Sequence, residues 1–427
     1  MKKIYNIVFL VFISCALYGQ GIYNSAYITI QNGVYVNYVD DGVSAAGSAD
    51  YTNQTGTADG TIDNDGTIAL QGDWYNNANA GSVFTTINTT GQSLVTLKGT
   101  TQQIIGGSSW TNFENLTIDN SKTLTATANV ILNVSSNAVN GILTLTNGVL
   151  DLNSKEFIIQ NPVPAPGNIV CASGAMIKSE TENSYLKWKI IDVASGTFVY
   201  PFGYWNTTSA AWYTVPFKFT VTTNGSSSSN GVLTMSTYHT GNDNLPLPSI
   251  SGVTEIKYKG VDNSANMIDR YYIMNFNNYS IRPKATLDFY YDRTNTSNLF
   301  ELNSIPESNL QAQRWLGSNW GSVEGSMSTD HVVVSTALFA SDNIPWALVN
   351  NSYPLPVELL NFSAHCSNDR VLLLWSTASE TNNDYFTVEK SKDMQLWETV
   401  VNKDGAGNSN AVLYYSAVDK NLYSGLT

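Results

Sequence analysis

Apolar residues recur along this chain in short runs broken by Gly, Asn and Asp, and nowhere after residue 20 do they hold the spacing of a helix. Between residues 21 and 160 the runs include Leu94-Val95-Thr96-Leu97, Leu116-Thr117-Ile118, Val130-Ile131-Leu132, Ile142-Leu143-Thr144-Leu145, Val149-Leu150-Asp151-Leu152 and Phe157-Ile158-Ile159. Such runs return at roughly 20-residue intervals, the spacing of a parallel β-solenoid whose coils stack inward Leu, Ile and Val on one another. Gly60-Thr61-Ile62, echoed by Gly66-Thr67-Ile68, adds a degenerate repeat. An antiparallel sandwich with irregular hairpins is the alternative reading of this region.

From 166 to 352 the predicted strands are longer and richer in aromatic and β-branched residues, as in Trp212 to Val221 and Ala285 to Tyr291. Their alternation predicts half-buried antiparallel strands, and a β-sandwich buries two such faces. Gly225-Ser226-Ser227-Ser228-Ser229-Asn230-Gly231 reads as a surface loop. Beyond residue 353 five strand candidates follow: Val357 to His365, Arg370 to Ala378, Tyr385 to Ser391, Trp397 to Lys403 and Val412 to Asp419. With Trp375 and Trp397 as expected core aromatics, this is the order of a fibronectin III or immunoglobulin-like sandwich.

Two proline-rich stretches, Asn161 to Gly167 and Tyr353 to Pro356, read as semi-rigid connectors between these regions. The expected fold is therefore all-β, with a solenoid-like region over 20–165, a sandwich over 166–352 and a fibronectin III-like unit over 353–427. Seven strands complete that last fold and five are in view, so the chain is expected to end inside it. Tyr385 to Ser391 should then present an open edge.

Ahead of these regions, Met1-Lys2-Lys3 precedes the apolar run Ile7 to Ile13 and small or polar residues through Gly19-Gln20, the pattern of a secretory signal peptide over 1–19. The run is too short for a permanent membrane span, and no later stretch approaches the required length. Phe12-Ile13-Ser14-Cys15 offers a rival reading as a lipidation site. Cleavage near Gly19 and Gln20 leaves Cys171 and Cys366, in different regions, so disulfides do not staple the mature chain.

Charge narrows the partners. The net formal charge of -13, with no arginine before Arg270, argues against nucleic acid and anionic lipid. The acidic balance is compatible with calcium, and Asp59, Asp63, Asp65 and Asp73 cluster in sequence. However, Thr61-Ile62-Asp63-Asn64-Asp65-Gly66 lacks the first and last ligands of an EF-type loop, and Asp or Asn before Gly is commonly a turn former.

The chain is poor in recognisable chemistry. His239, His331 and His365 stand beside no serine or cysteine elbow and in no zinc-binding spacing. Lys98, Lys122 and Lys155 are the cations on offer to a solenoid enzyme acting on acidic polysaccharides. The best ligand surface is aromatic: Trp205 and Trp212 flank the turn Asn206-Thr207-Thr208-Ser209, and Trp315 and Trp320 flank Gly317-Ser318-Asn319. These rings are candidates for glycan stacking if exposed and coplanar, and core or end-cap residues if not.

The segment Pro354 to Phe362, followed by Leu374-Trp375-Ser376-Thr377-Ala378-Ser379-Glu380-Thr381-Asn382-Asn383-Asp384-Tyr385-Phe386, resembles the sandwich that precedes the C-terminal sorting domain of surface proteins exported by type IX secretion. Gly72-Asp73-Trp74-Tyr75-Asn76-Asn77 is similar to solenoid segments of the same proteins. The resemblance implies a Gram-negative source and an extracellular or cell-surface fate, although no sorting domain is present before Thr427. Taken together, these readings lead to an expectation of a modular scaffold or adhesin without catalytic activity. A glycan-binding accessory protein or a polysaccharide-active β-helix enzyme are the alternatives.

Overall fold

The computed structural model describes residues 22–24, 27–38, 49–54, 59–79, 83–85, 93–164, 167–249, 253, 256–258, 261–293, 301–303, 305–317, 320–337, 339, 343–351, 359–367, 370–378, 380–392, 396–409 and 411–421. The fold is all-β, and two single turns, Ser264–Asn266 and Glu307–Asn309, are the helical elements among the described residues. The signal-peptide reading, with Gly19 and Gln20, the rival site at Cys15 and the connector Tyr353 to Pro356 fall outside the described residues.

The first part is a three-faced parallel solenoid. On one face Ile22 pairs in parallel register with Tyr51, Tyr51 with Trp74 and Trp74 with Ile105. Gln103 then pairs with Val130, Val130 with Leu150, Leu150 with Ile177 and Ile177 with Phe202. A second face aligns Val36, Ile68, Val95, Leu116, Leu143 and Ile169. The third carries Phe113, Val139, Ile159 and Trp188 in one row. Nearly every residue in these rows is fully buried, because a coil's inward side chains have only the coils above and below to cover them.

The steps between paired residues on the first face run from 20 to 31 residues, wider and less even than the roughly 20-residue interval read from the sequence. Strand lengths stay at three to five residues, so the variation sits in the corners. Asparagine organises several of them. Asn24, Asn53 and Asn76 align at the end of the first face, and all are buried. Asn76 receives Ala78 N at 3.0 Å and donates to Trp110 O at 2.7 Å, satisfying one buried and one part-buried backbone group of the corner.

The parallel stack does not stop at the expected boundary near residue 166. The described residues of the first proline-rich connector, 161–164 and 167, lie between strands of the stack: Trp188 Nε1 donates to Asn161 O at 3.0 Å, and the next strand, Ile169–Cys171, pairs with Leu143–Asn147. The face containing Trp188 then continues into antiparallel pairing, with Tyr185–Trp188 against Val232–His239, followed by Met267–Asn277, Asn343–Asn350 and Leu310–Arg314. A second antiparallel sheet, Gly196–Tyr200, Phe217–Thr223, Lys284–Phe289, Val332–Ala337 and Ser326–Met327, packs against it. Phe217, Tyr272 and Trp346 all place their rings within 5.3 Å of Phe289. One apolar core thus runs from Ile30 to Leu348 through both architectures.

The strand expected over Trp212 to Val221 is two strands in different sheets. Ala211–Thr214 turns back on Phe202–Asn206 as a hairpin, while Phe217–Thr223 joins the second antiparallel sheet. Pro216, lacking an N–H, stands at the break.

In the last region Leu359–Ser367, Arg370–Thr377 and Leu413–Asp419 form one sheet, and Glu380–Ser391 pairs with Trp397–Ser409. Glu380–Ser391 has that one neighbouring strand among the described residues. Trp375 is buried, with Tyr415 stacked on it at 5.6 Å and Phe386 edge-on at 5.7 Å. Trp397 is not a core residue: it is 57% exposed, and the aromatic partners of Trp375 are Phe362, Phe386 and Tyr415.

Candidate functional site

A recessed open surface lies on the solenoid corner between the second and first faces. Three successive coils turn there with unequal lengths. The first uses ten residues between Asn115–Asp119 and Val130–Leu132; the second uses Gly148 alone; the third uses 172–175. Gly148 and Gly174 have φ of +93° and +84°, the left-handed conformation that lets these corners be short. The long first loop overhangs its short neighbours, and the step between them is a groove of about 270 Å³ lined by Lys122, Leu124, Thr146, Asn147 and Ser173 among others.

The overhanging loop is fastened. Lys122 Nζ donates to Thr127 O at 3.0 Å and Thr125 Oγ1 at 3.1 Å, within the loop itself. From the hairpin 87 residues downstream, Trp212 Nε1 donates to Thr125 O at 2.8 Å. Beneath, Asn129 accepts Val149 N at 3.0 Å and donates to Lys122 O at 2.9 Å, tying the loop base to the next coil.

Trp212 therefore serves as a brace. Its ring packs on Ala128, Val149 and Met176, residues adjacent in sequence to the groove floor. Trp205 meets it edge-on at 5.7 Å with 67° between planes, so the pair makes no coplanar platform. Trp315 and Trp320 are corrected outright as ligand-facing residues: they are 3% and 2% exposed and belong to a core with Tyr271, Met267 and Val349. The two residues form an antiparallel bridge, and their indoles meet edge-on at 5.6 Å within that core.

The densest chemistry lies elsewhere, where the solenoid meets the antiparallel sheets. Arg270, on Met267–Asn277, is fully buried and donates Nε to Glu301 at 2.6 Å and Nη1 to Glu180 at 2.7 Å. Glu180 follows the solenoid strand Met176–Lys178 with a left-handed φ of 51°, and its second oxygen accepts His239 N at 3.1 Å. The His239 Nδ1 lies 3.4 Å from Glu301, and its ring stacks on Tyr204. Tyr204 also lies under the Arg270 guanidinium and donates to Asp292 at 2.5 Å.

Electrostatics follow from these contacts. Burial acts to raise the Glu301 pKa, but Arg270 and His239 outweigh it and hold the carboxyl below its ordinary value. For His239 burial acts to lower the pKa, yet the hydrogen bond and charge of Glu301 carry it above the usual imidazole value. Asp269, next to Arg270 in sequence, is pushed up to about 7 by burial, against hydrogen bonding from Asn303. Both Glu301 oxygens are engaged, one by Arg270 and the other by Asp292 N at 2.7 Å.

No family model, curated protein or solved structure matches this chain.

The remaining candidates are dispersed. Asp73 accepts Tyr75 OH and Ile104 N, both at 2.7 Å, Asp63 accepts Tyr27 OH, and Asp59 accepts Asn79 N, so these carboxylates are held by separate partners. Among the described residues no group of three or more His, Cys, Asp or Glu side chains could hold a metal ion. His331 stacks on Tyr290 and contacts Asp330, and His365 lies on Leu359–Ser367. Cys171 and Cys366 are free thiols, and burial pushes that of Cys171 up to about 11, away from a nucleophilic thiolate. No helix among the described residues is long and apolar enough to cross a membrane.

Sequence reasoning missed the Arg270 cluster because its members, Glu180, Tyr204, His239, Arg270, Asp292 and Glu301, are scattered over more than 120 residues of chain. One signal was available: Asp269-Arg270 interrupts the apolar run Met267-Ile268 and Tyr271-Tyr272-Ile273-Met274, and charges inside a buried strand require buried partners.

Proposed function

We propose that this chain is an extracellular or outer-surface scaffold, adhesin-like and without catalytic activity, belonging with the modular proteins of type IX secretion. One observation carries the reading: parallel coils pass into antiparallel sheets through a shared sheet and one unbroken core. Seven coil-to-coil steps at the usual 4.8 Å strand spacing extend about 34 Å before the antiparallel part begins. Such a body holds whatever it carries at a fixed distance and orientation.

The richest ionisable cluster supports a structural role. Its arginine and its two glutamates are bonded to one another and to backbone groups, and Glu301 is wholly shielded from solvent. His239 is the member of the cluster that reaches solvent, so it is the residue through which an acid–base role would have to act.

The test is an assay of the secreted protein on acidic and neutral polysaccharides, run beside adhesion of protein-coated beads to bacterial and host surfaces. The expected result is adhesion with no saccharide release. Product formation that disappears in His239→Ala would overturn the reading. A second reading, a glycan-binding accessory protein, is favoured by the corner groove and not by paired tryptophans.

A further inference from the structure

We infer that the corner groove is a binding site for a neutral glycan chain, held open by Trp212 acting through the loop it braces. The inference rests on the second reading above and names its site and ligand class.

Three observations converge. The groove takes its lining from three successive coils, so a chain laid along the stacking axis would meet residues of each in turn. Its open rim offers neutral groups: the exposed hydroxyls of Ser121, Thr146 and Ser173, and the Asn147 amide, whose Nδ2 is turned to Asp119 at 2.5 Å. Leu124, 46% exposed, supplies an apolar surface for the C–H face of a sugar ring.

The lining offers an acidic polymer little: its one charged side chain, Lys122, already spends its ammonium donors on Thr123 O, Thr125 Oγ1 and Thr127 O, and every other lining residue is neutral. Outside the lining, Asp119 accepts from Asn147 Nδ2 and places a carboxylate behind that side chain. Hydroxyl-rich neutral ligands meet no such penalty.

The wall is also organised in advance. The loop is bonded at its base by Asn129, internally by Lys122 and near its tip by Trp212. A loop already ordered in the free protein loses less entropy on binding. Trp212 is thus a positioning residue, acting without touching the ligand.

The experiment is calorimetric titration of the full chain with hexaoses of β-1,4-linked glucose, xylose and mannose, and with hexagalacturonate as the acidic comparison. Saturable binding of at least one neutral hexaose is expected, weakened tenfold or more by Thr146→Trp, which fills the groove from an exposed position. Trp212→Phe keeps the ring and removes the Nε1 donor, so it should weaken binding about threefold, within the range of one lost hydrogen bond. Circular dichroism and the melting temperature establish that the variants fold; should Thr146→Trp fail there, Ser173→Trp replaces it. Neutral-glycan binding unaffected by the groove-filling variant removes this site while leaving the glycan-binding reading in place. Absence of binding to any neutral hexaose, or tighter binding of hexagalacturonate, sinks the inference.

Discussion

At the scale of single residues, Arg270 shows how a charge is retained in a β-core. Its guanidinium lies at 0% exposure between Glu301 and Glu180, over the Tyr204 ring and within 3.0 Å of Thr237. Removing one partner of a buried ion pair leaves the others uncompensated in a medium that solvates them poorly. Arg270→Ala is therefore expected to cost about 3–5 kcal/mol, read as a lower urea midpoint. Arg270→Met with Glu301→Gln should recover a large part of that loss. A single-mutant cost below about 1 kcal/mol would mean that the cluster is wet.

The neighbouring titrations give a pH dependence with a definite sign. The raised Asp269 pKa means that the folded state holds its proton more tightly than the unfolded state, so its contribution declines as pH rises from about 4 to about 7. His239, also raised, contributes fully below its unfolded value and loses that contribution as pH climbs through the folded one. Glu301 is lowered and acts oppositely, withdrawing its contribution at acid pH. Stability should therefore fall from mildly acidic to mildly alkaline pH, and Asp269→Asn should flatten the part between about 4 and 7. Melting curves at half-unit intervals check this, and an unchanged slope in the variant excludes Asp269 as its source. None of it was legible from His239 in sequence, where the residue stands alone between Tyr238 and Thr240.

At the scale of elements, the short alternating runs of the first region were readable because inward positions in a coil must be apolar on each passage. Val95, Leu116 and Leu143 were all in the predicted runs, and all sit in one buried row. Coil length was misread because corners are free to lengthen outward, as the ten-residue loop before Val130 does, without disturbing the row. The order of strands after residue 353 was readable from alternation, whereas the exposure of Trp397 was not. An aromatic at a strand's first residue can point past the sheet's end.

The corner asparagines carry a prediction at this scale. Asn76 accepts Ala78 N and donates to Trp110 O while fully buried, so Asn76→Ala leaves two backbone groups unpaired. The expected loss is about 2 kcal/mol or more, since each unsatisfied buried polar group costs about 1–3 kcal/mol. Asn79→Ala, three residues away on the exposed side, should fall within about 0.5 kcal/mol of the parent protein. Equal effects at the two positions would show that the ladder is not what holds the corner.

At the scale of the whole molecule, the two parts are unequal in how they are stabilised. From Ile30 to Leu348 one core of large, fully buried side chains runs through solenoid and antiparallel sheets alike. The described residues after 358 bury Leu373 and Trp375 as their apolar core, while Phe362, Leu396, Trp397 and Tyr414 stay between 47% and 82% exposed. A buried carboxylate does part of the holding: Glu380 accepts Thr377, Asn383 and Ala406 N, and these bonds with that of Tyr415 outweigh burial to keep its pKa below the ordinary value. The Ser322 hydroxyl reaches the carbonyls of Glu380 and Ser409, both at 2.7 Å, fastening the last region to the one before it. At roughly 25 cal/mol for each Å² of apolar surface buried, so small a core leaves the last region near the margin of independent stability. Heating should therefore give two transitions, the first from residues 359–421 and the second from the continuous core. Ser322→Ala should lower the first and leave the second in place. Limited proteolysis below the second transition should leave a resistant fragment ending near residue 350, identified by mass. A single cooperative transition, or first cuts within the parallel coils, would show that the last region draws its stability from the main body and does not melt apart from it.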